Sequence, residues 1–275
     1  MYSIINVKDI NSLEKERKFN MKYILEGCVD SVESAIEAEK GGANRIELCS
    51  NLIIGGTTPD INLFNMVKNK INIKINVLIR PRFGDFCYSD YEFEIIKKDI
   101  EMFKKAGANG VVVGILNPDG TLNINRMKQI MEIVKGMQVT LHRAFDLCEN
   151  PLEVLDQAKE LGINTILTSG QKKNCFEGKE LIKTLILHSN NKIDILVGGG
   201  VKAEIVKEMI DYTNATSFHM SGKINIDSQM KYRKENVNMG LPSLSEYTIW
   251  QTSSRKIEQV HVILEKMIKE NYKVK

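Results

Sequence analysis

Residues 25–49 read LEGCVDSVESAIEAEKGGANRIELC. The stretch opens on a strand-like run ending in Cys28. Asp30 or Ser31 is placed to cap a helix with Glu33 in its first turn, and the amphipathic SVESAIEAEK closes at Gly41 and Gly42 before a second strand, RIELC. This is one βα unit, and its grammar recurs. NVLIRPR precedes the helical YEFEIIKKDIEMFKKAG, GVVVGIL precedes INRMKQIMEIVKG, VTLHRAFD precedes NPLEVLDQAKELG, and TILTSG, DILVGGGV and SFHMSG follow. Eight apolar strands separated by helices predict an α/β fold, a single (β/α)8 TIM-type barrel over residues 21–275. Residues 1–20 are polar and weakly patterned, a short N-terminal extension.

The segment 222–245 after the last strand exceeds an ordinary βα connection, which makes it a candidate lid. SEYTIWQTSSRKIEQVHVILEKMIKE then reads as the closing helix, with His261 a surface or packing residue. A formal net charge of +3 is far from the basic stripe of a nucleic-acid binder, so no such partner is expected. No apolar run approaches the ~18 residues of a membrane span and no apolar leader is visible, so no membrane partner and a cytoplasmic location are expected. The five cysteines are an odd number, which predicts reduced thiols rather than a disulfide scaffold. Cys87 and Cys148 read as packing residues and Cys175 as exposed.

Side chains two apart on a strand share a face. Ile46 and Leu48 belong against helices, which turns Arg45, Glu47 and Cys49 inward, and the same parity turns Glu26 and Cys28 inward. Arg80 and Arg82, Thr140 and His142, and His219 and Ser221 share interior faces of the third, fifth and eighth strands. An ordinary barrel core is Val, Ile and Leu, and unpaired buried charge costs several kcal/mol per ion. Pairing of Glu26 and Glu47 with Arg80 and Arg82 is the simplest structural account of those four. It leaves the histidines and thiols unexplained, and a functional pocket at the C-terminal mouth accounts for all of them.

Two chemistries suit such a pocket. In one, Gly198, Gly200 and Ser221 form a phosphate-type subsite, unless the glycines merely permit turns, and Arg80 and Arg82 clamp a small anionic molecule, helped by Lys231 and Arg233. His142, His219, Glu26 and Glu47 are then the catalytic acid-base candidates. In the other, Cys28 and Cys49 at matching positions of adjacent strands, about 4.8 Å apart, share a soft ion, Cu(I) or Zn(II), although the spacing also admits a disulfide. A hard divalent ion on Glu26, Glu47 and histidine is disfavoured by the nearby arginines.

Several separated motifs resemble the CutC family, described as copper homeostasis proteins, from Lys22 onward. They are Leu25-Glu26 with Cys28, Ile46-Glu47-Leu48-Cys49, Gly55-Gly56 with Thr58-Pro59, Arg80-Pro81-Arg82 with Gly84-Asp85-Phe86 and Tyr88-Ser89, His142 through Asp146, Leu167-Thr168-Ser169-Gly170, Gly198 with Gly200-Val201, and His219 with Ser221. The resemblance implies a TIM-type barrel, a cytoplasmic homo-oligomer and Cu(I) held by Cys28 and Cys49. Its motifs add Asp146 and Ser169 to the ligand-binding candidates. Thr57 and Asp60 depart from the family's usual Leu and Ser, and Asp is an equally good helix cap.

Overall fold

The computed structural model describes residues 23–241 and 244–273, so the proposed extension at 1–20 lies outside the described residues. Eight parallel strands close into a barrel in chain order: β1 (Ile24–Val29), β2 (Arg45–Leu48), β3 (Lys74–Leu78), β4 (Gly110–Val113), β5 (Gln138–Leu141), β6 (Thr165–Thr168), β7 (Asp194–Val197) and β8 (Ser217–Met220). The return helices are α1 (Val32–Lys40), α2 (Ile61–Lys68), α3 (Asp90–Ala106), α4 (Ile124–Ile133), α5 (Pro151–Leu161), α6 (Lys179–Ser189), α7 (Ala203–Thr213) and α8 (Ser254–Lys273). The TIM-type barrel predicted from the repeat is the observed fold.

The helix starts follow from local chemistry. Ser31 accepts the Ser34 N–H at the head of α1. Ser89 and Glu92 form a reciprocal capping box on α3, and Asn150 caps α5 with Pro151 in the first turn, where a missing N–H costs nothing. Most of the core lies between strands and helices, where Phe64 and Phe103 meet edge to face at 5.4 Å. Inside the barrel the apolar cluster shrinks to Cys28, Cys49, Leu78 and Val112. Glu26, Arg45, Glu47, Asn76, Thr140, His142, Thr165 and Ser217 are buried polar residues of the strands and their ends.

Three expectations are corrected. The segment 222–245 is not a plain connection but opens on a hairpin strand: β9 (Lys223–Asp227) pairs antiparallel with β10 (Thr248–Thr252), and the hairpin stands beside α1. The Thr252 N–H donates to Ser34 Oγ at 3.1 Å, and the Ser254 N–H to Glu37 Oε2 at 3.2 Å. The closing helix therefore begins at Ser254, because TIWQT alternates and is β-branched, which suits a strand. Cys175 is fully buried rather than exposed, its N–H donating to Gly199 O at 2.8 Å.

Candidate functional site

The interior parity read from β1 and β2 holds, but the two Glu-x-Cys motifs are not level. Cys28 stands opposite Glu47, and Glu26 stands opposite Arg45 on one side and His219 on the other. The stagger needed to close a barrel displaces the second motif by two residues. Glu26 accordingly pairs with the Arg45 guanidinium, not with Arg80 or Arg82, and accepts from His219 Nδ1 at 2.8 Å. Burial alone would raise the Glu26 pKa, yet Arg45 and His219 hold it below the ordinary carboxylate value.

That pairing organises the next layer. With Nδ1 engaged by Glu26, His219 keeps Nε2 for another partner, the carboxylate-to-imidazole arrangement that orients a ligating histidine. Donor atoms of Cys28, Glu47 and His219 all lie within 4.8 Å of one another. The Cys28 thiol donates to Glu47 Oε1 at 3.8 Å, while Glu47 Oε2 is buried without a partner. The Cys49 thiol beside it, followed by burial, drives the Cys28 pKa well above that of a free thiol. Cys49 itself donates to Val29 O at 3.5 Å and stands outside the three-donor cluster.

Burial, with the Glu26 charge adding to it, raises the Glu47 pKa to about 7 against the ordinary 4.5. For a carboxyl raised in the folded state, the stability contribution is full below about 4.5 and is lost as pH climbs through about 7. Glu47→Gln is therefore expected to unfold with about 1–3 kcal/mol more free energy than the parent at pH 8. The two proteins should converge at pH 4.5, as read by urea titration at the two pH values.

A cavity of about 320 Å³ opens above this layer. Cys28, Glu47 and His219 form one side, and Arg80, Phe86 and His142 another, with Gly199, Gly200 and Ser221 at the ends of β7 and β8. Arg82, Asp146, Ser169 and Gly198 are absent from its lining. Pro81 has no N–H and the chain leaves the ladder at Ile79, so the two-residue period lapses before Arg82. Arg82 instead pairs with Glu92 at 2.5 Å and Asp85 at 3.0 Å. Asp146 accepts from Thr168, Ser169 and Arg143, fastening the end of β5 to the end of β6. Arg233 pairs with Asp227 within the hairpin. Phe86 and Arg143, which line the cavity, belong to motifs of the family resemblance but were not among the site candidates: Phe86 sits in an irregular segment and Arg143 opens a 3-10 turn (Arg143–Leu147), where strand alternation assigns no inward face.

Comparisons with known proteins bear on the family and the fold. The CutC family model matches residues 23–224. The chain is 41% identical to the copper homeostasis protein cutC homolog of Homo sapiens over 247 residues, 90% of each protein. The chain belongs to the CutC family. A CutC family protein of Bacteroides fragilis is 42% identical over 86% of this chain and 95% of its own. The CutC crystal structure from Streptococcus agalactiae superposes with a TM-score of 0.69 at 30% identity, over 73% of this chain and 99% of that one. Among the described residues, no helix is long and apolar enough to cross a membrane.

Proposed function

We propose that this CutC protein binds a thiophilic metal ion, copper(I), at the mouth of the barrel through Cys28, with His219 and Glu47 beside it. The observation that carries the reading is the convergence of a thiol, an imidazole and a carboxylate within 4.8 Å in a buried layer. The donor chemistry fits: sulfur and imidazole suit Cu(I), whereas a hard cation prefers oxygen alone. The orphaned Glu47 Oε2 and the Nδ1 contact that frees the far nitrogen of His219 are what a ligand set requires. Cys49 is the second sulfur within reach of Cys28, as a bis-thiolate arrangement would use. Metal binding requires the Cys28 proton to leave, and Glu47 Oε1 already accepts that S–H.

Anaerobic Cu(I) titration against a competing chelator tests this. Cys28→Ser is expected to weaken binding by more than about a hundredfold, and Glu26→Gln, which removes the carboxylate that orients His219 and also unpairs Arg45, by about 10–100-fold in protein shown to remain folded. Cys49→Ser separates the two arrangements, since a two-sulfur site loses affinity as steeply as with Cys28→Ser and a Cys/His/Glu site does not. Undiminished affinity in Cys28→Ser would remove copper from this layer.

A further inference from the structure

Two buried residues of the cavity lining carry donors that the metal layer does not use. Arg80 is 8% exposed, and its guanidinium donates to three backbone carbonyls, Gly55 at 3.3 Å, Gly56 at 3.0 Å and Gly84 at 2.8 Å. None of these carries charge, and Arg80 forms no ion pair among the described residues. Its Nε–H is buried without a partner. His142 is 4% exposed, and its Nδ1 accepts the Ala144 N–H at 3.2 Å. A backbone N–H can only donate, so Nδ1 carries no proton and the neutral ring bears its hydrogen on Nε2. That Nε2–H is also buried and unpartnered. Phe86 joins the two, with the Arg80 guanidinium 5.0 Å from its ring and the His142 ring 4.7 Å away on tilted planes.

A buried cation without a counter-charge and two unmade donors on residues that line one cavity are costly unless a ligand completes them. We propose that Arg80 and His142 form an oxyanion subsite that holds the carboxylate or phosphate head of a small organic molecule, with the rest of that molecule reaching toward Cys28, Glu47 and His219. The acceptor must be anionic because Arg80 keeps its charge while its carbonyl partners cannot neutralise it. The molecule must be small, because about 320 Å³ is near the lower limit for ligand pockets. Burial, reinforced by the neighbouring Arg80 charge, lowers the His142 pKa to about 3, in keeping with a ring that donates while neutral. Gly198, expected to contribute to an anion position, is absent from the cavity lining, and its N–H already donates to Thr168 O at 2.9 Å.

The test is calorimetric and fluorimetric titration of the chelator-treated full chain with inorganic phosphate and with malonate, using chloride as the ionic-strength control. Removing metal keeps the outcome separate from the copper reading. Saturable binding of phosphate alone identifies a phosphate ester head, and of malonate alone a carboxylate. His142→Asn is the informative variant, because Asn Oδ1 can still accept the Ala144 N–H while the Nε2–H is gone. It is expected to weaken binding about ten- to a hundredfold, as loss of a hydrogen bond to a charged group does. Arg80→Lys, which keeps the charge but loses the Nε–H, is expected to do the same. No saturable response to either anion in the wild type, or parental affinity in both variants, would overturn the subsite.

Discussion

Arg45→Met is expected to lower the unfolding free energy by about 3–5 kcal/mol at pH 7, the cost of leaving one member of a buried ion pair behind. Glu26 is fully buried, and its charge is answered by Arg45 and His219 alone among the described residues. Without Arg45 the carboxylate must protonate or remain desolvated with a single partner. The loss should shrink as pH falls. A carboxyl held below its ordinary pKa contributes stability above about 4.5 and surrenders it as pH drops through the folded value. Urea titrations at pH 7 and pH 4 measure both limbs. Adding Glu26→Gln to Arg45→Met is expected to recover more than half of the loss, because the abandoned charge is then gone. A single-variant cost below about 1 kcal/mol would mean that His219 alone satisfies the carboxylate.

The second large effect is expected at Gly178, immediately before α6. A Cβ there would lie 2.0 Å from Ser169 O and 2.8 Å from Gly170 Cα, which are backbone atoms that cannot swing aside. Gly170 is itself held at φ +71, so the two segments are locked against each other. Gly178→Ala should therefore cost about 3 kcal/mol or more, through a forced shift of the segment after β6. Gly136→Ala is the control: its φ of +90 is strained for any L residue, but nothing lies within 4 Å of the new Cβ. That variant should lose only about 1–2 kcal/mol. Equal losses in the two variants would show that backbone conformation, and not the contact with Ser169, decides the cost at Gly178. Because Ser169 also accepts from Arg143, Gly178→Ala should disturb the rim of the cavity as well.

Much of the site follows from parity. Alternation along β1, β2, β5 and β8 places Glu26, Cys28, Glu47, Cys49, His142 and His219 inside the barrel, and they are there. Parity fails where the strand ends. Arg80 and Arg82 look equivalent in sequence, yet one is buried against three carbonyls and the other pairs outside the cavity. The residues 222–245 were equally ambiguous, since a long connection after the last strand has the same composition whether it covers the mouth or folds back on itself.

The partners within the barrel were not legible for a different reason. Glu26 and Glu47 each follow the start of a strand and precede a cysteine by two residues, so the two motifs look interchangeable. Barrel closure makes them unequal by offsetting β2 against β1, and this alone hands Glu26 to Arg45 and His219 and leaves Glu47 with Cys28.

The sequence by itself determined the order of strands and helices, the closure into eight units, and which side chains face inward, because these depend on period and local capping chemistry. The tertiary structure decided which inward groups meet, through interstrand stagger and the paths of loops. Neither is encoded in any single segment. Both arise only when all eight strands share one ring.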